Sequence, residues 1–335
     1  MAEPIGVAHK VKTDWAGRRV LVAGGLGFLG GALVTRLVGM GAQVRVLDSL
    51  LPHFGGSPTN IRSVAERVEV LVEDTRNRDA VNRAVRDVDT VFHLAGAAGP
   101  DTGAGDFYFE IDVACLGTWH LLAAVRCFAP SARFVLGSSH LVYSPDCAAP
   151  VGEESHTGPD TIFGAHQLAA EAYSGVYGRA HELDVVIARL TTVFGPRQRL
   201  HNAAFGSLAR VFDSALHGED LRIPGDGRQH ADFLYVDDAV DALLALGQAP
   251  GARGLAVNVG SGQSTTALAA GEAVIAAVGR GRIRPLVDGR EESEPTGRAF
   301  VPDLARLRSL GVSAPIRSFE DAVRETAAWY LGRPT

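Results

Sequence analysis

Arg19-Val-Leu-Val-Ala-Gly-Gly-Leu-Gly-Phe-Leu-Gly30 is the stretch whose reading decides the fold. Val20 to Ala23 form an apolar run of strand length, and glycines follow at 24, 27 and 30. Leu29, Leu33 and Leu37 then recur at helical spacing. A strand, a glycine turn and a helix in that order present free backbone N–H groups and a positive helix end to a pyrophosphate. Gly24 is expected to make the tight turn, Gly27 to admit the phosphates to the backbone, and Gly30 to let helix and strand pack closely. A glycine triplet alone is a weak signal, because such turns are common. The next strand, Val44 to Leu47, strengthens it by ending in Asp48, a carboxylate able to take both ribose hydroxyls of an adenosine.

Outward from that stretch, strands alternate with helices. Val68 to Val72 ends at Glu73-Asp74, and Val91 to Ala95 opens into Gly96; Phe134 to Leu136 delivers Gly137-Ser-Ser139, and Val185 to Leu190 comes last. Helices are expected near 80–85, 107–125 and 163–179. This rhythm predicts an α/β, Rossmann-type doubly wound parallel sheet covered on both faces. From Gly195 the pattern changes, returns to the sheet at Phe233, and after 264 is mainly helical. The expected division is a dinucleotide-binding domain over 18–194 and 233–262, a small interleaved C-terminal substrate-binding lobe over 195–232 and 263–330, and a lead-in over 1–17.

The totals bound the function. The chain has 335 residues, 46% of them hydrophobic, which suits one large or two closely joined domains. A net charge of −6 argues against nucleic acid or an anionic membrane surface as main partner and leaves a small-molecule substrate. No apolar run of roughly 18 residues and no signal-peptide core appear, so a cytoplasmic location is expected. Cys115, Cys127 and Cys147 fit neither a disulfide framework nor a metal cluster, and no metal is expected. Lys10 and Lys12 are the only lysines, so no ammonium from the body of the chain can act in catalysis.

In this order the motifs GGLGFLG (24–30), LDSL (47–50), ED (73–74), VFHLAG (91–96), LGSSHLVY (136–143), RLTTVFGPRQ (189–198), GDGRQHADFLYVDD (225–238) and NVGSG (258–262) resemble those of the extended short-chain dehydrogenase/reductases, the NAD-dependent epimerase/dehydratase family. The resemblance implies that Phe28, Leu29, Asp48, Ser49, Asp74, Thr75, Leu94, Ala95 and Gly96 line the dinucleotide, together with the glycines and Thr192, and that Ser139 sits beside the nicotinamide. It also implies pairing through the helices matching 107–125 and 163–179, which leaves open whether this chain is a homodimer. Asp48 repels a 2′-phosphate and leans to NADH; Ser49, His53 and an arginine from elsewhere leave NADPH open.

The departures from the family pattern are more informative than the matches. The family's working pair is Tyr-x-x-x-Lys, and the matching segment here reads Phe163-Gly-Ala-His-Gln167. Phenylalanine cannot exchange a proton, and Gln167 keeps only an uncharged amide for ribose hydroxyls. Where the family often has Asn on the preceding helix, this chain has Asp112. Members acting on nucleotide sugars commonly carry Asn and Arg where this chain has Thr192 and Ala231, and an Arg is the natural clamp for a pyrophosphate. Arg197, Arg199, Arg228 or Arg298 could substitute.

Hydride transfer to a ketone then needs its oxyanion held by Ser139 and by a hydroxyl of the substrate itself, with a proton from water. His140, His166 and Tyr143 are weighed as other donors, and His93 reads as an interior histidine. The missing pair is similar to atypical ketoreductases of aromatic polyketide antibiotic pathways, which implies reduction of a bulky polycyclic, angucyclinone-like ketone with NADH or NADPH. The alternatives are a nucleotide-sugar epimerase or dehydratase with a substitute base, and an inactive dinucleotide-binding sensor or scaffold.

Overall fold

The computed structural model describes residues 14–51, 55–96, 107–200, 207–224, 226–286, 300–312 and 317–332. The chain runs through β1 (Arg19–Ala23), α1 (Phe28–Gly39), β2 (Gln43–Asp48), β3 (Val68–Val72), α2 (Arg78–Ala84) and β4 (Thr90–His93). After α3 (Phe107–Ile111), a π turn (Asp112–Leu116) and α4 (Gly117–Phe128) come β5 (Arg133–Ser139), α5 (Ile162–Ala180) and β6 (Asp184–Leu190). β7 (Thr192–Phe194), α6 (Ser207–His217), β8 (Asp220–Pro224), β9 (His230–Ala231), β10 (Phe233–Tyr235), α7 (Val236–Leu246) and β11 (Ala256–Val259) follow. The chain closes with β12 (Thr265–Thr266), α8 (Ala267–Val278), β13 (Arg282–Leu286), α9 (Ala305–Ser309) and α10 (Phe319–Leu331).

Seven strands make one parallel sheet in the order β11-β6-β5-β4-β1-β2-β3, the doubly wound arrangement expected. β1 shows why both faces are covered. Its side chains alternate, so Val20 and Val22 join Leu33 and Leu37 of α1 in one core, while Leu21 and Ala23 join Val81, Leu121 and Val125 of α2 and α4 in the other. The winding reverses between β1 and β4, which opens a crevice at the carboxyl ends of those strands. The helical run Phe109–Phe128 spans 20 residues at mean hydropathy 1.4, with half of it buried in the core. Leu121, Leu122 and Val125 of that half pack on the sheet, while Ile111, Trp119 and Phe128 are exposed.

Two local expectations change. β10 does not rejoin the main sheet at Phe233; it pairs with β7 in a separate two-stranded ladder. The stretch after 264, expected mainly helical, contributes β13, which pairs parallel with β8. Both strands are short and broken by charge and proline (DLRIP and RIRPL), so neither carries a clear strand period.

The lobe shares the core under α1 and α7 through Phe212, Leu221, Val274, Phe319 and Val323. Asp232 ties it down. This carboxylate, 2% exposed, accepts from Thr191 Oγ1 at 2.8 Å, from Ser261 N and Oγ at 2.8 Å each, and from Gln263 N at 3.1 Å. Burial pushes its pKa up, against the pull of those donors.

Candidate active site

At the crevice, backbone crowding explains the glycines. Gly24 has φ +81°, and a Cβ there would lie 2.6 Å from the Ala95 amide nitrogen. A Cβ on Gly30 would lie 2.0 Å from the Gly24 carbonyl oxygen. Only glycine fits either place. Gly27 is less crowded, and as the residue that starts α1 it offers no side-chain cap. The first-turn amides, those of Phe28 and Leu29 among them, are therefore left without a side-chain cap, and the first turn itself carries no acid. That is the donor set a pyrophosphate requires.

The adenosine side is more occupied by the protein's own contacts than the sequence suggests. Asp48 accepts from the Leu26 amide on Oδ2 and the Leu50 amide on Oδ1, each at 2.9 Å, so it also braces the glycine turn. Each oxygen keeps a lone pair for a ribose hydroxyl, and Ser49 stands half-buried beside it. Asp74 is gripped by the Arg76 fork at 3.0 and 2.8 Å. Burial opposes its charge, yet the Arg76 bonds prevail and its carboxyl lies below the usual range. Thr75 is buried with its hydroxyl against Gly117, and its carbonyl is 3.1 Å from His120 Nδ1. Leu94, Ala95 and Gly96 leave β4 directly over the turn, with the Leu94 amide donating to the Ala23 carbonyl at 2.9 Å.

At the reacting end, β5 is longer than expected and carries Ser138 and Ser139 within the strand. Ser139 caps a short 3₁₀ turn, its Oγ accepting from the Leu141 amide at 3.2 Å. α5 starts against that turn, capped by Thr161; a Cβ on Gly164 would lie 2.3 Å from the Leu141 carbonyl oxygen. Phe163, half-buried, and Gln167, 8% exposed, are one turn apart on this helix and so share a face. Gln167 Nε2 reaches to within 3.6 Å of where a Gly96 Cβ would stand. No group among the described residues hydrogen-bonds its amide. A buried amide aimed at the end of β4 suits a ribose hydroxyl, and with the glycine turn it fits a nicotinamide dinucleotide.

Gln167 thus meets the end of β4 at Gly96, and Phe163 shares its face beside the turn that Ser139 caps, while His140, His166 and Tyr143 have partners of their own. His140 packs at a tilt against Phe300, 4.7 Å between centroids, with Nδ1 3.3 Å from the Leu190 carbonyl oxygen. His166 lies against Cys115 of the π turn at 4.0 Å. Asp112 is half-buried on that same turn, and Thr192 half-buried at the start of β7. Arg228 is solvent-exposed beside Asp226; Arg298 and His53 lie outside the described residues. His93 is fully buried, Nε2 2.8 Å from Thr118 Oγ1, and burial drives its pKa down to about 4. Thr118 gives its proton to the Ala114 carbonyl at 2.5 Å, so His93 must donate from Nε2, and Nδ1 has no partner among the described residues.

Tyr143 is structural and belongs to a network the sequence reading missed. Its hydroxyl donates to Asn258 Oδ1 at 2.7 Å and accepts from Arg189 Nη1 at 3.0 Å. Arg189 pairs with Glu171 of α5 at 2.7 Å, both nearly inaccessible, and Glu171 accepts from Ser138 Oγ at 2.5 Å. Burial works against the Arg189 charge, but Glu171 and Tyr143 hold it firmly protonated. The network fixes α5 against β5 directly behind Ser139. An arginine inside the apolar run Val185 to Leu190 was the available signal, since such a charge needs a buried partner.

Residues 20–260 match the NAD dependent epimerase/dehydratase family. UDP-glucose 4-epimerase of Mycolicibacterium smegmatis is 31% identical over 78% of this chain and 83% of its own length. An epimerase of Methanothermobacter thermautotrophicus superposes with a TM-score of 0.85 at 26% identity, covering 95% of this chain and 93% of the other. UDP-glucuronic acid 4-epimerase of Bacillus cereus, solved with UDP-glucuronic acid and NAD, gives 0.82 at 25% identity over 93% and 98%. These relatives side with nucleotide-sugar chemistry rather than with the polycyclic-ketone reading, and none of the three is a ketoreductase. They agree with a nicotinamide adenine dinucleotide cofactor. By its sequence match and its fold, the chain belongs to the NAD dependent epimerase/dehydratase family.

Proposed function

We propose that this chain reduces a ketone by hydride transfer, without the tyrosine–lysine proton relay. The observation that carries the reading is Phe163 and Gln167 on one face of α5, beside the turn holding Ser139. A nicotinamide dinucleotide held by the glycine turn and Gln167 would supply the hydride. The Leu141 amide occupies only a lone pair of Ser139, so the hydroxyl keeps its proton to donate to the developing oxyanion. A hydroxyl adjacent to the ketone supplies a second hydrogen bond from within the substrate, and water delivers the proton afterwards. Gln167 would orient the nicotinamide ribose. Losing a general acid costs about 10²–10⁴-fold, or roughly 3–5 kcal/mol of barrier, which orientation of the reactants can offset. Thr192 and Ala231, in place of the Asn and Arg common in sugar-nucleotide members, speak against a diphosphate clamp at these two positions, and a bulky polycyclic ketone with a neighbouring hydroxyl is the substrate this reading takes.

Epimerisation or dehydration of a nucleotide sugar is the second reading, favoured by the activities named for the relatives. It requires a base, and the site offers no ionisable group at the tyrosine position. The test runs NADH and NADPH against a panel of hydroxylated polycyclic ketones, with UDP-glucose and dTDP-glucose incubated in parallel with NAD. Consumption of reduced cofactor by a ketone supports reduction. Redox-neutral conversion of a nucleotide sugar overturns it, and so does cofactor binding with no turnover of anything, which leaves a dinucleotide-binding sensor or scaffold.

A further inference from the structure

A cleft of about 590 Å³ separates the loop after β2 from the substrate-side lobe, a volume that suits a small ligand. It is distinct from the crevice at Ser139. One wall is Gly55, Ser57 and Thr59; the other carries Arg197, Arg199 and Arg280 together with the carboxylate Asp213, which pairs with His217 of the same wall, with Leu216 and Leu331 between. The first wall reaches the dinucleotide site, because a Cβ on Gly56 would stand 3.0 Å from Asp48 Oδ1. The second wall is firmly held. Gln198 is buried, and its carbonyl accepts from the Tyr330 hydroxyl of α10, which pins the loop and presents Arg197 and Arg199 on either side. Arg197 has φ +72°, a conformation costly for a residue with a side chain. Neither Arg197 nor Arg280 donates to any acceptor among the described residues.

We propose that this cleft is a site for a terminal, dianionic phosphate group, with Arg197 and Arg280 as its ligands and the Ser57 and Thr59 hydroxyls as further donors. Planar guanidinium forks match phosphate oxygens in pairs, and a dianion between them closes the lobe onto the loop beside Asp48. The inference rests on the cofactor assignment. Two sources present this chemistry: the 2′-phosphate of NADPH, and the terminal phosphate of a second ligand bound while the dinucleotide is in place. A 2′-phosphate reaching past Asp48 to these arginines would offset the repulsion that Asp48 exerts on it.

The experiment measures dissociation constants of NADH and NADPH, and of ADP added to the protein saturated with NADH, for the unchanged chain, Arg197→Gly and Arg280→Ala. Glycine is at home at positive φ, so Arg197→Gly removes the guanidinium without disturbing the turn. Weakening of NADPH by roughly 10–100-fold in both variants, with NADH unchanged, places the 2′-phosphate in the cleft. Weakening of ADP by the same factor, with NADPH and NADH unchanged, assigns a second ligand. If both variants bind NADPH and ADP as the unchanged chain does, the proposal is overturned. Failure of NADH itself to bind the unchanged chain would instead refute the cofactor assignment.

Discussion

Phe163, Gln167 and Ser139 are where the chemistry is decided. If Ser139 supplies the one protein hydrogen bond to the oxyanion, Ser139→Ala lowers kcat by roughly 10²–10³-fold with little change in KM. Steady-state consumption of reduced cofactor measures it, and an undiminished rate removes the serine from the mechanism. Installing the family pair, Phe163→Tyr with Gln167→Lys, is the complementary test. A reaction that draws its second hydrogen bond from the substrate gains little from a phenol, so the rate should stay within a few-fold. A rise of orders of magnitude would mean that the chain is an impaired version of the ordinary relay.

At the level of elements, β4, β5 and α5 hold the site through buried polar groups whose costs can be measured. Glu171 balances Arg189 in the interior. Glu171→Leu leaves that guanidinium uncompensated and should remove about 3–5 kcal/mol of stability, read by urea unfolding; a loss under about 1 kcal/mol would show that water or another group replaces the carboxylate. His93 at the end of β4 sets an acid limit. Its pKa is about 4 folded, against 6.5 for the free side chain. The unfolded chain therefore takes up the proton first as pH falls. The stabilisation is full above pH 6.5 and is lost progressively down to pH 4, amounting to about 3 kcal/mol. Unfolding free energies of the unchanged chain and His93→Gln between pH 4 and 7.5 should diverge accordingly, and parallel curves would contradict it.

At the scale of the whole molecule, the lobe and the sheet meet around Asp238 at the start of α7. Burial raises its pKa to about 6; the nearby Arg317 works against this, and Asp241, Asp237 and Glu325 reinforce it. A carboxyl with a raised folded pKa is protonated more readily in the folded chain, so its ionisation costs stability. The cost is absent below pH 3.8, grows as pH rises to about 6, and is full above it. Because the group is half-exposed, solvent screening reduces the cost to about 1 kcal/mol. Asp238→Asn should therefore stabilise the chain by that much at pH 7.5 and by nothing at pH 3.5, in thermal or urea melts; equal effects at both pH values would refute the assignment.

The sequence by itself determined the doubly wound class, the glycine turn, the cofactor type and the loss of the catalytic pair. Each of these is local: a run of apolar residues, a spacing of glycines, or the absence of an ionisable group at one position. Only the tertiary structure decided that Gln167 stands over Gly96, that His140 turns to Phe300 and the Leu190 carbonyl, and that Arg76 already grips Asp74. It also decided that β10 leaves the main sheet to pair with β7, and that the stretch after 264 contributes β13, paired with β8. Such facts depend on which distant backbones approach one another, and packing between elements carries no signature within any single stretch of chain.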